Sequence, residues 1–566
     1  MMMRFALTLR IVPILAALLV APALFLNGIG PSGSSASPSD SIMAANAGGQ
    51  DQQADSPFIS SQGFENTLRI AGPRQLPTLD PAFVKDLGSM LLVRQVFGGL
   101  MRFGDDLDPA PALAETVEIS DDGLTYRFVL SEEARFFSGG AITSEDVVFS
   151  LTRALDPATA GGDVTALAAP TFLADILGAA ELLAGETDAL SGVTVADERT
   201  VEIRLARQRS TFLMRLASAP ASIIDSGDLD LGDRWWESPN ASGPFAISRF
   251  SEDSEMILEA NEHYVLGPPL LETVHVRLGN EAFGALNLYE SGFIDTVGVD
   301  YLNIERIIDP EGPWAADLHV SPLFAVEYIA FRTDVEPLSD PAIRQALLAA
   351  FPRDRVASVT FNGRVGPAEG VIPDGMLGVD KWEVESEYDL ERARQLIADS
   401  TYGSAEQVPP ITVYASTPQR AESFRDVIER DLGVRVDVIA VEWQSYLAGL
   451  ANREYPAYLL YWGADYPDPE SMLLTLFGSG LADNYVDYSN ESFDGLLEEA
   501  AREQDAGRRA ELYHQANQIL IHDAIVLPLY YDVAYTLVRP WVHDLVVGPL
   551  GILYLDTAWI GEPAGD

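Results

Sequence analysis

The stretch Ile411-Thr-Val-Tyr-Ala415 is typical of a short β-strand, and Pro418 to Leu432 follows it as a helix. Gly433 is a suitable end for that helix because glycine accepts the left-handed backbone of a C-terminal cap. Alternate valines from 434 to 438 predict a second strand, and Tyr458-Leu-Leu-Tyr-Trp462 predicts a third, of the buried type. Strands that alternate with helices pair in parallel, so this section predicts an α/β sheet.

Ligands of α/β sheets bind just beyond the C-terminal ends of the strands. The strand 458–462 is followed by Gly463-Ala464-Asp465-Tyr466-Pro467-Asp468-Pro469-Glu470. Gly463 would let a ligand approach the backbone, and the candidate apolar walls are Tyr461, Trp462 and Tyr466. Asp465 is the first charge after the strand and could hold a cation through charge-assisted hydrogen bonds. The alternative is that Asp465 caps the next helix, near 471–477, or fixes the turn.

The composition excludes several classes of function. The chain has 566 residues, with 85 acidic and 36 basic side chains and a net charge of −49. Such a charge repels nucleic acid, and the aromatic content of 9% argues against an acidic disordered chain. Cysteine is absent, which excludes disulfides, thiolate zinc sites, thiol catalysis and a lipidated N-terminal cysteine.

The N-terminus predicts export. Residues 1–30 combine two arginines with an uncharged apolar run from Ile11 to Leu26, the pattern of a signal peptide or an uncleaved membrane anchor. Residues 31–63 are rich in Ser, Gly, Ala, Pro, Asp and Gln, which predicts a flexible linker. The folded part is therefore expected to begin near Phe64.

Two hairpins and a capped helix are predicted in the first half of the chain. Thr116 to Leu130 reads as a hairpin that turns at 121–123, and a second hairpin turns at 197–199. Thr143 with Asp146 predicts the start of a helix.

A series of short motifs then gives a resemblance that covers roughly residues 64–560. In order, they are Leu76-Pro-Thr-Leu-Asp-Pro81, Pro111-Ala-Leu-Ala-Glu115, Asp121-Asp-Gly-Leu-Thr-Tyr-Arg-Phe128, Phe136-Phe-Ser-Gly-Gly140, Thr143-Ser-Glu-Asp-Val-Val-Phe-Ser-Leu151, Ser242-Gly-Pro-Phe245, Pro337-Leu-Ser-Asp-Pro-Ala-Ile-Arg-Gln-Ala346, Ala464-Asp-Tyr-Pro-Asp-Pro469, Tyr488-Ser-Asn-Glu-Ser-Phe-Asp494 and Leu527-Pro-Leu-Tyr530. Each motif is weak alone, but together they resemble the extracytoplasmic solute-binding proteins, family 5, of peptide (dipeptide, oligopeptide, nickel) ABC transporters.

The resemblance implies an α/β fold with two lobes, periplasmic-binding-protein-like (type II, cluster C), and an extra subdomain on lobe 1. Lobe 1 would take residues 64–322, including the subdomain at about 78–198, and would be completed by 525–566; lobe 2 would take 323–524. Hinge crossings are expected near Ala325–Phe331 and Ile525–Tyr531, and closure about them would bury the ligand.

The resemblance also implies roles for site residues. Asp465 matches the acid that holds the α-ammonium of a bound peptide in oligopeptide-binding relatives, and Ala464 and Tyr466 flank it. Tyr461, Trp462 and Gly463 match the segment whose backbone pairs with an extended peptide, as an added strand does. The segment Lys85-Asp-Leu-Gly-Ser89 matches a cleft-lining region more loosely.

The implied function is that of the binding component of an ABC importer, which captures peptides outside the cytoplasmic membrane and delivers them to the permease subunits. We expect a periplasmic or surface-anchored monomer that uses no cofactor or metal and has no catalytic residues. Two alternatives stay open: a sugar oligomer or a nickel chelate as the ligand of the same transporter class, and a secreted hydrolase that uses a pair of carboxylates.

Overall fold

The computed structural model describes residues 66–104, 106–282, 284–299, 303–383 and 388–562. The predicted signal or anchor at 1–30 and the predicted linker at 31–63 lie outside the described residues. Within the described ranges, no helix is both long and apolar enough to cross a membrane.

One large mixed sheet organises the chain. In spatial order its strands are Val436–Ala440, Ile411–Ala415, Ala457–Gly463, Leu318–Phe331, Val526–Val538, Thr296–Gly298, Thr67–Ala71, Thr273–Arg277, Glu255–Ala260 and Phe245–Ser251, and the short strand Gly366–Pro367 also pairs with Val526–Val538. The three strands predicted for the α/β section lie at one end of this sheet. They pair in parallel, as expected, with Ile411–Ala415 in the middle.

Two long antiparallel strands lie at the centre of the large sheet, and we call Leu318–Phe331 and Val526–Val538 the central strand pair. Their ladder runs regularly from Leu318 to Pro322 and resumes at Val326, and a second irregularity follows Glu327. The first interruption lies at the beginning of the predicted hinge crossing. The central strand pair belongs to both predicted lobes, because each half of the sheet is built onto one end of it.

A separate four-stranded antiparallel sheet contains both predicted hairpins. In spatial order its strands are Ala114–Ile119, Thr125–Leu130, Thr200–Arg204 and Val193–Asp197. The sheet extends to Arg204, beyond the predicted end of the subdomain at 198. Residues of the helix Leu87–Val96 instead pack in a core formed by strands of the large sheet. The expected range of 78–198 thus includes this helix and stops before the strand Thr200–Arg204, and the limits of the subdomain stay a prediction.

The helices begin and end largely where local patterns place them. The α-helices are Leu87–Val96, Ser144–Leu155, Pro170–Leu173, Ala179–Leu183, Phe212–Leu216, Ala285–Glu290, Ile304–Ile307, Pro341–Ala350, Arg353–Arg355, Leu390–Asp399, Pro418–Leu432, Trp443–Ala451, Glu470–Phe477, Glu491–Arg502 and Ala506–His522. The 3-10 helices are Pro157–Ala160, Val164–Ala166, Ala219–Ala221, Ser226–Leu231, Trp235–Glu237, Gly279–Ala282, Met376–Gly378 and Ala405–Gln407, and Val356–Thr360 is a π-helix. Three short strand pairs complete the description of these residues: Met101–Phe103 with Pro109–Pro111, Val542–His543 with Trp559–Ile560, and Val546–Val547 with Leu553–Tyr554.

Candidate functional site

The strand Ala457–Gly463 leads into the predicted ligand loop. It pairs antiparallel with the central strand Leu318–Phe331, with Gly463 opposite Ala325 and Ala457 opposite Phe331. The backbone N–H of Ala464 donates to the Phe324 carbonyl at 2.8 Å. In an antiparallel ladder the hydrogen-bonded pairs alternate, so the backbone groups of Tyr461 and Gly463 point away from the central strand, toward the opposite edge.

That opposite edge is uncovered over its last residues. The neighbouring strand Ile411–Ala415 pairs with the site strand only at Ala457 and Tyr458, and the hydroxyl of Tyr446 donates to the Leu459 carbonyl at 2.5 Å. Among the described residues, no strand pairs with Tyr461 or Gly463 on this side. Gly463 is exposed, and a Cβ built on it would meet nothing within 4 Å. The edge therefore has both the free backbone groups and the space for an added strand.

Asp465 lies two residues beyond this edge and has no partner. It is half-buried, and within the described part of the chain its carboxylate takes part in no hydrogen bond or ion pair. Desolvation of the carboxyl group, helped by the negative charge of Asp483, raises its pKa to about 7, although Arg215 and Arg94 act in the opposite direction. A carboxylate that is desolvated and unpaired gains most from a cation supplied from outside.

The alternative function of Asp465 as a helix cap is excluded by the geometry of the next helix. Glu470–Phe477 has no side-chain cap at its first position. The turn before it is fixed by Asp468 instead, which accepts from the Glu470 N–H at 3.0 Å and pairs with the Arg509 guanidinium at 3.1 Å. Asp468 is completely buried, so the motif contains one structural carboxylate and one unpaired carboxylate.

Glu470 anchors the end of the loop through a buried ion network that we call the Glu470 network. Its carboxylate pairs with Arg209 and with Arg215, the latter at 3.0 Å, and accepts from the hydroxyl of Thr211. Arg209 also pairs with Asp175 at 2.7 Å. Glu470 lies in the range expected for lobe 2, whereas its partners Arg209, Thr211 and Arg215 lie in the range expected for lobe 1. The Glu470 network therefore connects these two ranges of the chain.

The aromatic residues predicted as walls differ in how they are placed. Tyr461 is 39% exposed, and partial desolvation together with the negative charge of Asp532 raises the pKa of its hydroxyl. Trp462 is half-buried, and its indole N–H has no hydrogen-bond partner. Tyr466 is only 2% exposed and its hydroxyl lies in the Glu470 network, 3.2 Å from Arg215. Tyr461 and Trp462 thus offer surface to a ligand, whereas Tyr466 positions the loop. Ala464 is also buried.

A cavity of about 310 Å³ adjoins Tyr461, and no sequence motif predicted it. Its lining includes Trp443, Arg420, Glu327 and Asp532. Arg420 pairs with the buried Glu327 at 3.0 Å. The cavity is built from five separate segments of the chain, which no local motif could bring together. Its position beside the uncovered edge suits a side chain of a bound peptide.

The loosely matched segment at Lys85 also lies in this neighbourhood. The Lys85 ammonium interacts electrostatically with Asp483, the same residue whose charge raises the pKa of Asp465. Arg94, on the helix Leu87–Val96, is a second neighbour of Asp465 and was not singled out from the sequence.

Comparisons with known proteins agree with this geometry. Sequence relatives include the periplasmic oligopeptide-binding protein OppA of Escherichia coli, which is 25% identical over 88% of this chain and 93% of its own length. The dipeptide-binding protein DppE of Bacillus subtilis is 25% identical over 88% and 92%. The heme-binding protein A of Haemophilus influenzae is 27% identical over 81% and 85%.

Solved structures have the same fold. The Escherichia coli murein tripeptide-binding protein MppA superposes with a TM-score of 0.73, at 22% identity, over 88% of this chain and 99% of that one. This similarity confirms the predicted two-lobed periplasmic-binding-protein-like fold. A family model, described as bacterial extracellular solute-binding proteins, family 5, middle region, matches residues 108–484. This match covers about two thirds of the sequence, and the chain belongs to family 5 of the bacterial extracellular solute-binding proteins.

Proposed function

We propose that this protein is the extracytoplasmic substrate-binding component of an ABC importer and that it captures peptides. One observation carries the proposal: the unpaired carboxylate of Asp465 lies directly beyond an uncovered strand edge. A peptide has the two complementary features, an α-ammonium and a backbone that can add to a sheet. Backbone pairing does not depend on side-chain identity, so the expected specificity is broad.

We propose that the two lobes close over the ligand by bending at the central strand pair. The hinge crossings are placed near Ala325–Phe331 and Ile525–Tyr531, and the interruption of the ladder between Pro322 and Val326, beside the first of them, supports this. On this proposal lobe 1 comprises 64–322 and 525–566, and lobe 2 comprises 323–524. The protein would act as a monomer, without turnover, periplasmic or on the outer face of the cytoplasmic membrane, and would deliver its ligand to permease subunits there.

The identity of the ligand can be read directly from purified protein. Denaturation of protein isolated from its own cells, followed by mass spectrometry of the released material, is expected to give a mixture of short peptides at about one mole per mole of protein. Release of a single sugar oligomer, a nickel chelate or another non-peptide compound contradicts the proposal. Wild-type protein stripped of ligand and reloaded with a defined tripeptide serves as the control for recovery.

Peptide binding is expected to depend on pH because of the raised pKa of Asp465, about 7. Below that pKa the free protein carries a protonated Asp465, which must lose its proton before it can hold an ammonium. Above about pH 8 the peptide α-amino group loses its charge. Affinity should therefore peak between pH 7 and 8 and fall roughly 50-fold by pH 5. Calorimetry with a trialanine probe measures this, and an affinity that does not change between pH 5 and pH 7.5 contradicts the assignment.

A further inference from the structure

A second cavity is lined by residues in the ranges expected for lobe 1. It has a volume of about 90 Å³, and two arginines, Arg94 and Arg102, form part of its wall. Its other polar lining residues include Ser218, Tyr264 and Asp556. This volume is large enough for a carboxylate or a similarly small anion.

Neither of these two cavity-lining arginines has an acidic partner among the described residues. With 85 acidic and 36 basic side chains, most arginines of the described residues form an ion pair within 4.0 Å, including the buried Arg209, Arg215 and Arg509. Within the same described part of the chain, no carboxylate lies at ion-pair distance from Arg94 or Arg102.

Within the described residues, Arg102 leaves a buried donor without an acceptor, and Arg94 makes one hydrogen bond. One nitrogen of Arg94 donates to the Ala217 carbonyl at 3.1 Å, and its guanidinium lies over the ring of Phe103. The Nε of Arg102 is buried and has no hydrogen-bond partner. A buried donor without an acceptor carries a desolvation cost that a suitable ligand can offset. Desolvation also lowers the pKa of Arg94 to about 10, in agreement with this geometry.

The charges that line the cavity add to one unmatched positive charge. Arg94 and Arg102 contribute two positive charges and Asp556 one negative charge. One monoanion would make the cavity neutral and would give each arginine a charge-assisted hydrogen bond. Because the whole protein is strongly negative, such a site is not a product of general surface charge.

We propose that Arg94 and Arg102 form a site for a carboxylate-sized anion next to the Asp465 position. Two sources would supply the same chemistry: an acidic side chain of the bound peptide, or a small free anion. The first source rests on the proposed peptide-binding function, whereas the site itself does not. Since Arg94 interacts electrostatically with Asp465, a peptide whose ammonium is held there has its first residues close to this site.

Two measurements on the full chain separate these sources. Calorimetry compares the tripeptides Ala-Glu-Ala and Ala-Gln-Ala, which differ in one charge. Thermal unfolding compares sodium acetate with sodium chloride at equal ionic strength, and this arm needs no peptide. Both are repeated on Arg94→Gln and Arg102→Gln. The control is Arg392→Gln, because Arg392 is exposed and has no ion pair among the described residues.

A peptide source predicts that wild-type protein binds the glutamate peptide roughly 10- to 100-fold more tightly than the glutamine peptide. Arg102→Gln should abolish that preference, and Arg392→Gln should keep it. A free-anion source predicts equal peptide affinities and an acetate-specific rise in the unfolding temperature that Arg102→Gln removes. If Arg102→Gln changes neither measurement while the variant remains folded, the proposal is wrong. If no peptide binds at all, the proposed function fails and the acetate arm still decides the site.

Discussion

Replacing Asp465 by asparagine is expected to weaken peptide binding by about 2–5 kcal/mol and also to stabilise the ligand-free protein. The loss of binding follows from removing one partner of a charge pair that closure would bury. The gain in stability follows from removing the desolvated negative charge of Asp465. Asp465 forms no ion pair within the described residues, and the charges of Arg215 and Arg94 only partly offset the desolvation of its carboxylate.

The size and sign of the stability effect follow from the pKa. The pKa of Asp465 rises from 3.8 to about 7 on folding. A carboxyl whose pKa is higher in the folded protein takes up protons on folding, so its ionisation weakens the fold as the pH rises from about 4 to 7. Full burial would make the penalty roughly 4 kcal/mol, and the partial exposure of Asp465 reduces this to about 2 kcal/mol. Asp465→Asn should therefore stabilise the protein at pH 8, and the gain should shrink toward pH 5.

Chemical unfolding of ligand-free protein at these two pH values, paired with calorimetry, measures both effects. Asp468→Asn is the matched control, three residues away in the same motif. Asp468 is buried and paired with Arg509, so its neutralisation leaves a buried arginine unpaired and should cost about 3–5 kcal/mol of stability. An Asp465→Asn variant that is less stable than wild type at pH 8 would mean that Asp465 has a structural partner.

The second large effect is expected at Glu470, where Glu470→Gln should destabilise the protein by about 3–5 kcal/mol. Desolvation raises the pKa of Glu470, but Arg215 and Arg209 outweigh it and hold the pKa at about 2. Glutamine keeps the shape but leaves two buried guanidinium groups with one fewer negative charge. The same substitution releases the helix that follows the Asp465 loop, so peptide affinity should also fall.

Denaturant unfolding at pH 7 gives the free energy, and Glu498→Gln provides the control. Glu498 pairs with Arg502 on the surface, where both side chains are more than half exposed, and such pairs contribute only about 0.3–0.5 kcal/mol. If Glu470→Gln costs no more than Glu498→Gln, the Glu470 network contributes nothing beyond an exposed pair.

Local sequence patterns predicted the elements around the site correctly. Gly433 does end the helix Pro418–Leu432 in the left-handed conformation. Thr143 and Asp146 do form a reciprocal capping box at the start of Ser144–Leu155. These features depend on residues within a few positions of each other, so the information is complete in a short stretch. The family resemblance then supplied the two-lobed fold.

Features that depend on distant residues were missed. Arg215 and Glu470 are 255 positions apart, and no spacing rule connects them. The proposed anion site at Arg94 and Arg102 was also missed, because it depends on the absence of an acidic partner among the described residues. The pairing of Thr200–Arg204 with Thr125–Val129 was also missed, since strand pairing across 75 residues is not visible in a hairpin pattern.

The central strand pair also sets the order in which the protein can be made. Glu327 lies opposite Tyr530 in that ladder, 203 positions later in the chain. The central strand pair of the large sheet cannot form until residues 526–538 have left the ribosome. Contacts between residues so far apart in the chain also form slowly. An unfinished chain therefore cannot complete its tertiary structure during synthesis. This delay suits a protein that we propose is exported, since secretion of an unfolded chain requires that folding wait.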